Sequence, residues 1–235
     1  MKKILKLSCF ALFAVLASCS SDDDSTDTTT TSVNYWPLSE NNYWTYSSAS
    51  DATNTATDTI KIGSHQTING NVYHNITGQL IDRSVGLDVN PAFSISKQGS
   101  VYKMKQGDVT TELQGVSLSI SGGEYTYLKE PETGLASWTD TQSLGITFNG
   151  IPFSTYNTDI VGEIVERDLA MTINGRNFTE VIKSKVILNL RVDMAGINQE
   201  NVMEIWYANG VGPIKIKTTA DGTVMEYNIK SFQVN

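Results

Sequence analysis

His65 and His74 are the chain's two histidines, and they flank the dipeptide Asn69-Gly70. A hairpin turning at that dipeptide would bring the imidazoles near each other across two strands, and two imidazoles can begin a metal site. Apart from Asp58 and Asp82, no acidic residue lies close by in sequence. The expectation is therefore two polar residues on a hairpin, with no metal and no cofactor. Carboxylates recur in pairs: Asp159 with Glu163, Glu163 with Glu166, Glu130 with Glu132. A glycosidase needs two such groups facing each other across a cleft, whereas acidic residues along a strand are ordinarily a solvated face. No Gly-x-Ser-x-Gly elbow is present. Gly210-Val211-Gly212 runs into Pro213, which makes it a turn rather than a dinucleotide loop. No residue stands out as catalytic, and the chain reads as a non-enzyme. The aromatics Trp36, Trp44, Trp138, Trp206 and Tyr207 are the candidate ligand-binding residues. On a β surface they would stack on sugars or peptides; inside a sheet they would be packing.

Cysteine chemistry is confined to Cys9 and Cys19. Lys2, Lys3 and Lys6 precede and enter a mostly apolar run, Ile4 to Leu16, that is too short to span a bilayer but suits a signal peptide. Leu16-Ala17-Ser18-Cys19 resembles the lipobox of bacterial lipoproteins. The resemblance implies lipid transfer to the Cys19 sulfur and cleavage before it, leaving 1–18 as a signal peptide and 19–33 as a lipidated tether. Asp22, Asp23 and Asp24 follow. They resemble the acidic export signal of Bacteroidetes-type lipoproteins, which implies an outer-membrane location facing the exterior. The rest of the tether is Ser, Thr and Asp, flexible chain with a reach of roughly 20 Å.

The net charge is −8, and removal of the three lysines in 1–18 makes it more negative. Such a surface repels phosphate backbones, so nucleic acid is not an expected partner. With Cys19 acylated, no disulfide is left, and the domain must rest on its own core. About 200 residues suffice, burying roughly 70% of their unfolded surface.

From Asn34 to Asn235 the sequence reads as one all-β domain. Short Val/Ile/Thr/Tyr-rich runs alternate with turn pairs: Asn69-Gly70, Gly107-Asp108, Asn149-Gly150, Asn174-Gly175, Asn209-Gly210 and Asp221-Gly222. Val186, Leu188, Leu190 and Val192 share one face of a long patterned stretch from Arg176 to Val192. Met225, Tyr227 and Ile229 alternate, but Phe232 and Val234 continue one residue out of step, which predicts a bulge near Lys230-Ser231. Asp159 to Met171 is read as strand, because Gly162 and its β-branched residues weaken a helix. Long, bent strands predict an antiparallel meander forming a strongly curved sheet or incomplete barrel. Thr67-Ile68-Asn69-Gly70 recurs as Thr172-Ile173-Asn174-Gly175, and the Pro37-to-Trp44 spacing recurs from Pro131 to Trp138. These echoes suggest two similar halves, 34–128 and 129–235.

Tyr35-Trp36-Pro37-Leu38, Asn42-Tyr43-Trp44-Thr45-Tyr46 and Trp206-Tyr207-Ala208-Asn209-Gly210-Val211-Gly212 resemble a family of β-rich surface lipoproteins of Bacteroidetes-type bacteria. The resemblance implies a fold and an address, and no activity. The expected function is binding of a small molecule, a glycan or an envelope protein, with the lipid on Cys19 holding the membrane. An accessory subunit of an envelope complex is the alternative, and a carboxylate-dependent hydrolase the remote one.

Overall fold

Four of the hairpins turn on two residues that are Asn-Gly or Asp-Gly. Asn69-Gly70, Asn149-Gly150, Asn174-Gly175 and Asp221-Gly222 all take positive φ at both positions, the geometry whose twist matches that of antiparallel strands. The computed structural model describes residues 33–49, 57–78, 92–113, 115–131, 134–193 and 196–235. Residues 1–18, read above as a signal peptide, lie outside these residues, as do Cys19 and Asp22 to Asp24.

Among the described residues there is no α-helix. The first strands are β1 (Tyr43–Ser48), β2 (Thr57–Ile68), β3 (Asn71–Thr77), β4 (Phe93–Gln98) and β5 (Val101–Gln106). A short hairpin, β6 (Val109–Leu113) and β7 (Val116–Ile120), precedes β8 (Gly123–Lys129). The second half holds β9 (Ser137–Phe148), β10 (Ile151–Ile173), β11 (Arg176–Val192), β12 (Ile197–Ala208), β13 (Gly212–Ala220) and β14 (Thr223–Gln233). They form one antiparallel sheet in the order β6-β7-β9-β10-β11-β12-β13-β14-β1-β2-β3-β4-β5-β8. The backbone ladder is not closed, as expected of a curved sheet or incomplete barrel. Strands β9 to β14 are one uninterrupted meander. Strands β1 to β5 with β8 are a second, joined to the first where β14 pairs β1. The two Thr-Ile-Asn-Gly hairpins, β2–β3 and β10–β11, are each formed by the second and third strands of their run.

Two turn signals behave differently from the expectation. Gly107-Asp108 does not join a hairpin: β5 pairs with β4 and β8, whereas β6 pairs with β7, so this dipeptide carries the chain across to the opposite edge. Asn209-Gly210 belongs to a longer connection that ends at Gly212.

The sheet rolls until its distant strands touch. The Tyr127 hydroxyl of β8 donates to Met203 Sδ of β12 at 3.4 Å, although the two strands are far apart in the sheet order. At the seam, side chains from β9 stand in for a ladder. Asp140 Oδ2 accepts the Thr126 N–H of β8 at 3.0 Å. The Trp138 indole N–H donates to the Thr126 carbonyl at 3.0 Å. Both backbone groups of Thr126 are thereby satisfied on the side of β8 that faces away from β5.

Residues Asn34 to Leu38 form a strap across one end of the rolled sheet, here called the strap end. Trp36 inserts between Trp44 of β1, Tyr127 of β8 and Tyr207 of β12, with ring centres 6.5, 5.5 and 5.8 Å away. The long β10–β11 hairpin runs past the same end. Asn174 Nδ2 donates to the Ile229 carbonyl of β14 at 2.8 Å, and Phe178 meets Phe232. Register irregularities between Ile164 and Met171, with Asp168 and Glu180 at positive φ, bend the hairpin toward β14.

Candidate functional site

The end of the sheet away from the strap is open, and its inner face is apolar. The β9–β10 turn sets Phe148 opposite Ile151, and Phe153 packs edge-on against Phe148 with centres 4.4 Å apart. The next hairpin places Val192 opposite Ile197. Ile151, Phe153 and Ile197 are 69%, 50% and 50% exposed. Inward from this shelf, Ile146, Tyr156 and Leu190 form a small buried cluster with Leu118, Ile120, Leu144, Leu188 and Val192 packed against it. Period-two alternation sets Leu144, Ile146 and Phe148 of β9 on one face and does the same for Leu188, Leu190 and Val192 of β11, while on β10 the register shift between Pro152 and Ser154 lets Phe153 join the face of Tyr156 three residues on.

Two small cavities flank Leu188. One, of about 20 Å³, lies among Gln106, Tyr125, Gln142, Tyr156 and Leu190. The other, of about 30 Å³, lies among Val186, Asn201, Met203, Thr218 and Met225. Each has room for about one water molecule. No charged side chain lines either cavity. Burial pushes the Tyr156 phenol up to about 12 and the Tyr125 phenol higher still, so both stay neutral. Gln106 is 5% exposed, and its Nε2 is buried with no hydrogen-bond partner; the same is true of Asn201 Nδ2. The mouth therefore offers an apolar wall and amide donors without a nucleophile or a paired acid and base.

The aromatics singled out from the sequence divide. Trp36, Trp44 and Tyr207 meet in the core at the strap end, and Trp138 is buried at the seam. Trp206 sits on the outer face opposite Lys183 and Lys215, whose ammonium groups lie 4.9 and 5.0 Å from its ring centre. The carboxylate pairs do not converge on a cleft. Asp159 pairs with Arg191 at 3.1 Å, Glu163 and Glu166 are exposed opposite Lys185 and Lys183, and Glu132 lies outside the described residues. Glu130 is buried and holds the strap through the Tyr35 N–H at 2.8 Å. Gln106 escaped the sequence reading because a lone amide looks like surface. Its signal was the alternation Tyr102, Met104, Gln106, which turns it inward with two buried neighbours.

His65 and His74 face each other across β2–β3, with ring centres 5.4 Å apart. Burial first, and then the nearby His65, lower the pKa of His74. Its folded value lies below the unfolded 6.5, so protonation favours the unfolded chain. The stability it contributes is full above 6.5 and falls away as pH drops from there toward the folded value. In a histidine NMR titration, the His74 midpoint is expected below 6.5; a midpoint at or above that value would contradict the burial.

Among the described residues, no group of three or more His, Cys, Asp or Glu could hold a metal. No helix among them is long and apolar enough to cross a membrane.

Fold and mouth together define a class: a rolled, open antiparallel β domain. No family description matches the chain, and no curated protein matches it. Among solved structures, the fold is similar to that of a chain designated a lipoprotein from Parabacteroides distasonis. The TM-score is 0.51 over 86% of this chain and 99% of that one, with 12% of residues identical. At that identity the likeness is one of fold alone.

Proposed function

We propose that the chain is an outer-membrane lipoprotein, anchored through lipid on Cys19 and turned to the cell exterior by Asp22, Asp23 and Asp24. Its β domain binds a ligand at the open mouth and performs no chemistry on it. The lipobox Leu16-Cys19 carries the address, and the designation of the structural neighbour supports it. The observation that carries the binding function is the continuity of the apolar shelf at Phe148, Ile151 and Phe153 with the interior cluster behind it. Exposed apolar surface of this kind marks interaction sites in soluble domains. The mouth and the strap occupy opposite ends of the sheet, so the mouth is carried away from the point where the tether joins.

Two measurements test this. Protease shaving of intact cells should remove the domain; a domain that stayed protected would place it on the inner side. A fluorescent apolar probe, N-phenylnaphthylamine, should brighten on binding the purified chain. Ile151→Ser with Phe153→Ser should abolish most of that signal, while Val161→Ser on the outer face should leave it. Equal signal from both variants would rule out the mouth. The accessory-subunit reading draws on a separate observation: β6 is the free edge of the sheet, and its sequence Val-Thr-Thr-Glu-Leu lacks the Lys and Pro that usually guard such edges.

A further inference from the structure

The two-residue turn at Asn69-Gly70 sets Ile68 opposite Asn71 and, counting back, His65 opposite His74. The core imposes a different register, Ile62 opposite Ile76, and both of these isoleucines are buried. The two registers differ by one residue. The irregularity between Ile62 and His65 absorbs the difference, with Gly63 and Ser64 opposite Asn75 alone. Without that extra residue, extending the core register would put Ser64 opposite His74 and turn His65 to the other face. The hairpin therefore keeps both imidazoles on one face without disturbing the core.

We propose that His65 and His74 form a chelating pair for a borderline divalent transition metal, Zn²⁺, Ni²⁺ or Cu²⁺. Imidazole nitrogen suits these ions, whereas Mg²⁺ and Ca²⁺ take oxygen ligands. A metal–nitrogen bond of about 2.0–2.1 Å puts the ion about 3 Å from each ring centre, so a tetrahedral angle separates the centres by about 5 Å. The observed 5.4 Å, with the ring planes inclined by 46°, lies close to that spacing. His65 is exposed and gives the ion access. His74 is half-buried, and its Nδ1 has no hydrogen-bond partner. Glu40 approaches from the Ser39–Asn42 loop, which is held to β2 by the Asn41 N–H on the Ile62 carbonyl at 2.9 Å. Its carboxylate acts on His74 electrostatically. Water completes the coordination. The site is an open two-nitrogen chelate, distinct from the mouth and independent of it.

The test is a calorimetric titration of the full chain, purified without a histidine tag, with ZnCl₂ alone. Wild type should bind one equivalent. His65→Ala and His74→Asn should each weaken binding at least tenfold, and Glu40→Gln should weaken it less. With Cu²⁺, electron paramagnetic resonance should show coupling to two imidazole nitrogens in wild type and to one in either variant. His65→Ala removes an exposed side chain, so it keeps the test valid if His74→Asn folds poorly. No binding by wild type, or unchanged affinity in His65→Ala, would overturn the pair.

Discussion

Gly162→Ala is expected to destabilise the domain by about 3 kcal/mol, the upper part of the overpacking range. Gly162 stands directly opposite Trp138 on the β9–β10 ladder. A Cβ there would lie 2.0 Å from Trp138 Cε2 and 2.3 Å from its Nε1, well inside any atomic contact. The indole cannot move away cheaply. It is buried, and its N–H is committed to the Thr126 carbonyl across the seam. The added methyl must therefore break the seam bond or push β10 aside. In a domain of this size the cost corresponds to a fall in Tm of about 6–12 °C. Trp138→Leu alone should also destabilise, through the cavity and the orphaned carbonyl. The decisive measurement is the double variant, Gly162→Ala with Trp138→Leu. The methyl then enters space that the indole has left, so the combined loss should be clearly smaller than the sum of the two single losses. Additive losses would show that the glycine serves something other than room for the indole.

The seam marks the limit of what sequence patterning conveys. Local features were legible because local physics sets them. The phase slip after Ile229 is a bulge: Thr45 pairs Ser231 and Tyr46 pairs Ile229, with Lys230 skipped. The patterned stretch Arg176 to Val192 is the strand β11, and Asp159 to Met171 lies within β10. Each copy of the Thr-Ile-Asn-Gly echo turns a hairpin, β2–β3 and β10–β11. What alternation does not encode is which distant strands meet. Gly107-Asp108 has the composition of a hairpin turn, yet β5 already has β4 and β8 as partners, so β6 must go elsewhere. Trp and Tyr are equally uninformative about side, because the same ring can fill a core or pave a surface. Trp206 and Tyr207 are neighbours in sequence. One is clamped between two lysines outside, and the other is fully buried against Trp36.

Glu130→Ala is expected to cost about 3 kcal/mol, because it removes one partner of a buried ion pair and leaves several donors unsatisfied. Glu130 is only 6% exposed. Its Oε2 pairs with Lys97 Nζ at 2.8 Å. Its Oε1 accepts the Tyr35 N–H at 2.8 Å and the Tyr102 hydroxyl at 2.7 Å. Burial, and then the Glu130 charge, push the Tyr102 phenol far up, so it remains a neutral donor. Tyr102 in turn accepts the Trp36 N–H at 3.2 Å. One carboxylate thus fixes two successive backbone amides of the strap, one directly and one through a phenol. From the other side, Gly210 N–H donates to the Asn34 carbonyl at 2.9 Å, and Asn209 Oδ1 accepts the Asn34 N–H at 2.9 Å. Tyr102→Phe, which deletes a single hydroxyl, should cost about 1 kcal/mol. Glu130→Gln should fall between, since it keeps an acceptor but leaves the Lys97 charge without its partner. Urea unfolding ranks the three variants. Limited proteolysis then locates the damage: if Glu130 clamps the strap, cleavage between Asn34 and Leu38 should accelerate before the sheet unfolds. Global unfolding with no earlier cleavage would make Glu130 an ordinary core residue.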